Sequence, residues 1–307
     1  MNIYLARTRG FCAGVSFATA VVERALQEYG LPIYVYHEIV HNTFVVNAFK
    51  ERGIVFVEKL SEVPPGSRII FSAHGVPPAI VRESERLRLR VIDATCPLVK
   101  KVHRQATKYS ENGCHTVLIG HKGHQEMIGT AGYIKEELLH IVETVEDVKK
   151  LDIPLELKVG YITQTTLSVD ESKLIIEAMH RRFPNLQDPA RDDICYATQT
   201  RQDAVKELAS LCDMIIICGS ANSSNSNRLR ETGERCGVPA YIIDSAADLR
   251  MEWFRGVENV GVSSGASVPH FIVEDLVKEL EKMFPGAAVQ RFENPEKNIV
   301  FPLPELL

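Results

Sequence analysis

The sequence predicts an α/β fold of three similar small domains, each built on a mostly parallel sheet, arranged pseudo-threefold around a central cavity. Three observations carry that prediction. Short apolar runs alternate with segments of helical period along the whole chain, the pattern of βαβ units and parallel sheets. Three cysteines, Cys12, Cys96 and Cys195, stand about a third of the chain apart, and His41, His124 and Ser223 follow them by 28 or 29 residues. His74, Thr165 and Ser267 follow the same cysteines by 62 to 72 residues. Segments with no chemistry repeat in step as well: GIVFVEKLSEV from Gly53, HIVETVEDV from His140 and AYIIDSAADL from Ala240 each run from apolar to acidic or small polar and close on Val or Leu. Self-similarity at so long a period indicates repeated domains, bounded at 1–95, 96–194 and 195–307, rather than a solenoid.

The elements follow in order. A strand at Ile3–Ala6 leads through RGFC to a helix over Ser16–Glu28, and a second strand, Ile33–Tyr36, leads into HEIVHN. The turn Pro64-Pro65-Gly66 precedes a strand at Arg68–Ser72 and the loop SAHG. Val91–Asp93 leads to DATC, where Pro97 suits a first helical turn before Val99–Glu111. Thr116–Gly120 opens onto GHKGHQE, and Val159–Thr163 onto TQTTLS and a helix at Val169–Arg182. DICY precedes a helix at Gln202–Leu211; Met214–Cys218 opens onto GSANSSNSN and a helical RLRETGERC. Ala240–Ile243 and Asn259–Ser263 complete the strands, the latter leading through SSGAS to a helix at Ile272–Phe284. Prolines 295, 302 and 304 bar the segment Asn294–Leu307 from a regular core element. In open α/β sheets ligands collect beyond the carboxyl ends of the strands, where the next helix presents its N-terminus. Six polar loops occupy that position, so a threefold arrangement makes them converge on one cavity.

Composition excludes several classes. With 307 residues, 45% hydrophobic and 24% charged, the chain is an ordinary globular protein rather than a disordered one. A net charge of −5 with scattered Lys and Arg argues against a nucleic-acid partner, so any anionic ligand must be held by local donors. No apolar run reaches the roughly 18 residues of a membrane span, and the N-terminus has no signal-peptide core, so a cytoplasmic protein without membrane contact is expected. Seven cysteines in a reducing compartment are not a disulfide framework.

The cysteines separate by setting. Cys12, Cys96 and Cys195 lie just before helices, where the dipole favours a thiolate. Cys114, Cys212, Cys218 and Cys236 sit in or beside apolar runs and read as packed, inert thiols. Three thiolates gathered together admit zinc, although the chain has no CxxC pair and zinc usually takes a fourth ligand. They also admit a 4Fe-4S cluster with one iron left open, a site for chemistry on a substrate, or merely a buried core. Among the histidines, His37, His103, His115, His121, His140 and His180 have no repeat partner and read as ordinary. Gly120, Gly123, Gly129 and Gly132 match neither GxGxxG nor a P-loop and read as turn or close-approach positions.

RGFCAGV from Arg9, IVHN from Ile39, SAHGV from Ser72, DATCPLV from Asp93, GHxE from Gly123, TQTTLS from Thr163, NSSNSNRL from Asn222 and GASxP from Gly265 together resemble the motifs of 4-hydroxy-3-methylbut-2-enyl diphosphate reductases. The resemblance implies reductive removal of the allylic hydroxyl of (E)-4-hydroxy-3-methylbut-2-enyl diphosphate, giving isopentenyl and dimethylallyl diphosphates, the last step of the non-mevalonate isoprenoid pathway. It further implies one 4Fe-4S cluster on Cys12, Cys96 and Cys195, an open iron that binds the substrate hydroxyl, and a small redox protein, flavodoxin or ferredoxin, as electron donor. His41, His74, His124, Thr165, Ser223, Ser224, Asn225 and Ser267 are then the substrate-binding residues. Glu126, with Thr165 and His124, does the acid chemistry. Independently of the name, a diphosphate in a negatively charged protein needs imidazoles, hydroxyls, amides and free N–H groups, and loss of hydroxide from carbon needs a positioned acid. Glu126 is the loop carboxylate with no evident charge partner. Thr8, Ser16, Gln125 and His270 depart from the usual motif residues without removing any of these roles. A cluster-bearing sensor needs no diphosphate loops, and a hydratase needs no electron donor.

Overall fold

The computed structural model describes residues 1–190, 192–292 and 299–304. Its elements are β1 (Asn2–Leu5), α1 (Ala13–Tyr29), β2 (Ile33–Tyr36), α2 (Thr43–Glu51), β3 (Val55–Val57), β4 (Arg68–Phe71), α3 (Pro78–Arg86), β5 (Arg90–Asp93), α4 (Pro97–Glu111), β6 (His115–Ile119) and α5 (Gln125–Ala131). These are followed by β7 (Leu139–Val142), α6 (Val145–Lys149), β8 (Val159–Thr163), α7 (Val169–Arg182), α8 (Tyr196–Ala209), β9 (Met214–Cys218), α9 (Ser224–Arg235), β10 (Ala240–Ile243), β11 (Asn259–Ser264), α10 (His270–Met283) and β12 (Ala288–Arg291). The segment 299–304 carries no regular element. The rest of the proline-rich tail, 294–298 and 305–307, lies outside the described residues.

The protein is α/β with three sheets, and every strand pair is parallel: β10-β9-β11-β1-β12, β3-β2-β4-β5 and β7-β6-β8. Each repeats one order. The second strand of the copy is followed by the first, the third, and then a strand that leads toward a cysteine. That fourth strand is β1 before Cys12 and β5 before Cys96; in the last sheet it shrinks to a single parallel bridge between Gly160 and Gln187, upstream of Cys195. The strand before a cysteine therefore pairs in the sheet that precedes it in the cycle. A division at 1–95, 96–194 and 195–307 places Asn2–Leu5 in the first segment, but it pairs with β11 and β12 of the last. The reason is apolar: Ile3 and Leu5, both fully buried, join Val260, Val262, Val273 and Leu276 in one cluster.

Two compact units hold these sheets. One comprises Met1–Ser16, Val40–Phe49 and Tyr196–Val300, with the β10-β9-β11-β1-β12 sheet. Strand alternation decides its two faces: Met214, Ile216 and Cys218 face Val273, Leu276, Val277 and Leu280 of α10, while Ile215 and Ile217 face Val205 and Leu208 of α8 and Leu229 of α9. Each such side chain taken from water contributes about 1.5–3 kcal/mol before entropy is subtracted. The other unit comprises Phe17–Ile39, Lys50–Cys195 and Phe301–Leu307 and holds the remaining two sheets. There β6 and β8 present Val117, Ile119, Val159 and Tyr161 to Ile175 and Met179 of α7, and Leu118 and Ile162 to Val102 and Ala106 of α4.

Most strands fall within one residue of the sequence expectation. Helix α8 begins six residues earlier than its pattern, because YATQTR carries too few apolar residues to show a stripe although Ala197, Thr198 and Arg201 are buried. The short elements α2, α3, α5, α6, β3, β7 and β12 leave no periodic signal of useful length.

Candidate active site

Each polar loop leaves a strand's carboxyl end and enters a helix: β2 to α2, β4 to α3, β6 to α5, β8 to α7, β9 to α9 and β11 to α10. The three spaced cysteines also stand directly before helices, Cys12 before α1, Cys96 as the N-cap of α4 and Cys195 before α8. All three are half-buried. The Val15 N–H donates to Cys12 Sγ at 3.4 Å. By contrast Cys114, Cys212 and Cys218 are buried, and burial pushes the last two up to about 12. Cys236 corrects the sequence reading. It is exposed, because it caps the end of α9 at a tight turn through Gly237.

In the first unit one loop set gathers Cys12, His41, Ser223, Ser224, Asn225 and Ser267. Cys12 N–H donates to Ala266 O at 3.0 Å, and Ala266 N–H donates to Asn225 Oδ1 at 2.9 Å. Ser267 Oγ donates to His41 O at 2.9 Å. Ser223 caps α9 by accepting from Ser226 N–H, with Ser224 as the first helical residue. The approach is close enough that a Cβ on Gly219 or Gly265 would collide with Ser226 Oγ. Asn225 is 6% exposed, and its Nδ2 is buried with no hydrogen-bond partner. A buried donor left unpaired costs about 1–3 kcal/mol, which an anionic ligand at this helix start would recover.

The second unit brings together His74, His124, Glu126 and Thr165, and it also contains Cys96 and Cys195. The His74 and His124 rings stand edge to face with centroids 5.9 Å apart. His124 Nδ1 accepts from Glu126 N–H at 3.1 Å and so caps α5; the neutral ring then carries its proton on Nε2. Glu126 is 3% exposed and makes no ion pair among the described residues. Thr165 donates twice to it, N–H to Oε1 at 2.6 Å and Oγ1 to Oε2 at 2.8 Å. Burial raises this carboxyl to about 7 against those two hydrogen bonds, with the Asp193 charge adding to the rise. Thr165 O in turn accepts from Cys195 N–H at 3.1 Å, tying the acid's partner to a cysteine loop. The site thus offers a carboxylic acid poised at neutral pH beside a hydroxyl that can pass its proton on.

Sequence reasoning missed two side chains here. Asp193 is buried, paired with Lys101 Nζ at 3.2 Å, and burial raises its pKa. Arg201 is fully buried and donates to the carbonyls of Ala197 and Gly10 at 2.9 Å each, bracing residues beside Cys195 and Cys12. A signal for Arg201 existed, since it interrupts the stripe Ala197, Ala204, Val205 and Leu208. No three His, Cys, Asp or Glu side chains among the described residues are grouped so as to hold a single metal ion. In a 4Fe-4S cluster each thiolate binds a different iron, so such a cluster does not require that grouping.

A family model described as LytB protein matches residues 3–281. A 4-hydroxy-3-methylbut-2-enyl diphosphate reductase of Azoarcus sp. is 51% identical over 306 residues, covering 100% of this chain and 97% of its own. The same-named protein of Neisseria meningitidis serogroup C is 50% identical, covering 100% and 95%. Among solved structures, the E-1-hydroxy-2-methyl-but-2-enyl-4-diphosphate reductase from Plasmodium falciparum superposes with a TM-score of 0.94 at 38% identity, covering 99% of this chain and 95% of that one. A structure of (E)-4-hydroxy-3-methyl-but-2-enyl diphosphate reductase, described as the terminal enzyme of the non-mevalonate pathway, gives 0.65 at 35% identity, covering 92% and 100%. With half its residues shared with these reductases along its full length, and a family model matching residues 3–281, this chain belongs to the LytB family of reductases.

Proposed function

We propose that the chain reduces (E)-4-hydroxy-3-methylbut-2-enyl diphosphate to isopentenyl and dimethylallyl diphosphates, consuming two electrons and two protons and releasing water. The observation that carries the reading is Glu126, a buried acid near pKa 7 doubly bonded to Thr165. Cys12, Cys96 and Cys195 fit one 4Fe-4S cluster: three half-buried cysteines at helix starts are the suitable donor set, and the three buried thiols are not. When bound, that cluster supplies single electrons and a Lewis-acidic iron.

The chain's own residues do the rest. Asn225 Nδ2, the hydroxyls of Ser223, Ser224 and Ser267, and the imidazoles of His41, His74 and His124 bind the diphosphate and replace its lost hydration. Glu126 holds the proton at its Oε atoms, and Thr165 Oγ relays it to the departing oxygen, which leaves as water rather than hydroxide. A small redox protein, flavodoxin or ferredoxin, delivers the electrons. No helix among the described residues is long and apolar enough to cross a membrane, which accords with work in the cytoplasm. An anaerobic assay of the iron-loaded protein tests the reading. Reductant-dependent formation of both C5 diphosphates supports it, and turnover without reductant, or none at all, overturns it.

A further inference from the structure

Helix α5 carries Glu126 and is capped by His124, yet it has only seven residues, too few to hold a direction by itself. What steadies it is the segment that follows His74. A Cβ on Gly129 would stand 3.3 Å from the Gly75 carbonyl oxygen, and one on Gly132 would collide with Pro77. Three residues apart, the two glycines share one helix face, so the backbone of α5 rests directly on residues 75–77. The close-approach glycines of the sequence find their use here.

His103 of α4 lies beneath this joint. It is 5% exposed, stacks on Tyr133 with centroids 4.4 Å apart, and has a buried Nε2 with no hydrogen-bond partner. Its Cε1 would be 2.5 Å from a Cβ on Gly75, and its Nε2 3.6 Å from one on Gly129, so the ring touches both loops at once. Gly75 itself has φ +76°, a conformation that side chains rarely adopt. Burial holds His103 down at about 4, with the Asp93 charge opposing and Lys100 adding to the fall, so the ring stays neutral at working pH. A buried imidazole nitrogen without a partner is a cost that Leu would avoid. Its flat ring fills the floor under two glycine loops.

We infer that Gly75, Gly129, Gly132 and His103 form a packing joint that sets His124 and Glu126 at their working distance from His74, with His103 as a positioning residue. This rests on the reaction proposed above. Three variants test it: Gly132→Ala, whose Cβ would collide with Pro77 Cβ and so wedges the joint open; His103→Ala, which removes its floor; and His103→Phe, which refills it. The first two keep the visible absorption and circular dichroism of the iron-loaded enzyme, but raise KM for the allylic diphosphate by about 10- to 100-fold, the loss expected of a displacement near 1 Å. His103→Phe returns KM to within about threefold. A crystal structure of His103→Ala shows the His74 and His124 rings farther apart than 5.9 Å. An unmoved ring pair, an unchanged KM in folded His103→Ala, or a His103→Phe as poor as His103→Ala overturns the inference. If wild-type enzyme fails to turn over the allylic diphosphate, the proposed reaction falls, while the ring separation still decides the joint.

Discussion

Glu126→Gln removes a proton and little else. In the wild type Oε1 accepts from Thr165 N–H at 2.6 Å and Oε2 from Thr165 Oγ1 at 2.8 Å. A glutamine keeps the first contact through its oxygen and the second by donating its NH2 to the hydroxyl, so shape and hydrogen bonding survive. What disappears is an acid whose pKa burial has raised to about 7. General acid catalysis contributes about 10²- to 10⁴-fold, so turnover falls by that factor, about 3–5 kcal/mol of barrier. The pH profile carries the sign. The protonated carboxyl is the active form, so wild-type turnover drops above pH ~7 by about tenfold per unit, and the variant lacks that limb. Stability also falls with rising pH, but over a lower window. The folded pKa lies above the unfolded value of 4.5, so the native state binds the extra proton and the wild type loses stability as pH rises from there to about 7. The shift is worth roughly 3 kcal/mol at 1.36 kcal/mol per unit, and Glu126→Gln escapes it. Anaerobic turnover and thermal midpoints of both proteins from about pH 5 to about pH 9 measure the two effects. Variant turnover within about threefold of wild type, or an unchanged pH limb, refutes the role of Glu126 as the acid.

Cys96→Ser loses the cluster, read as visible absorption and bound iron, while circular dichroism stays native; the same change at Cys212 or Cys218 leaves bound iron intact, and a full iron complement in Cys96→Ser removes it from the ligand set. Asn225→Asp keeps the Oδ1 contact to Ala266 N–H but turns the unpartnered Nδ2 donor into an anionic oxygen. A hydrogen bond to a charged group is worth about 1.5–3 kcal/mol, so KM for the diphosphate rises by about 10- to 100-fold; an unchanged KM places the diphosphate elsewhere.

The grouping of the candidate site was legible in part, because polar residue types at strand ends stand out from the apolar strands that precede them. His74, His124, Glu126 and Thr165 come together in one unit, and Cys12, His41, Asn225 and Ser267 in the other. Strands such as Met214–Cys218 declared themselves by being apolar on both faces, as strands covered by helices on each side must be. His103 was not legible: a histidine buried for its shape carries no repeat and no motif of its own. Cys236 misled because an apolar neighbourhood in sequence says nothing about which way a helix-ending residue points. Nor could local pattern show that β1 pairs with strands more than 200 residues away.

That distant pairing has a consequence for how the chain matures. As the protein is synthesised, β1 emerges first but has no partner until β11 follows it. The sheets β3-β2-β4-β5 and β7-β6-β8 draw on contiguous stretches and can close early. The sheet holding β1 has to wait for the far end of the chain, and loop closure over such a span makes it the slow one. The RGFC loop hangs directly from β1, so Cys12 is the last of the three cysteines to find its place. On the proposed ligand set, assembly of the cofactor then waits for β11, and in pulsed hydrogen exchange the β1 amides gain protection after those of β2 and β6; earlier protection of β1 would contradict this order.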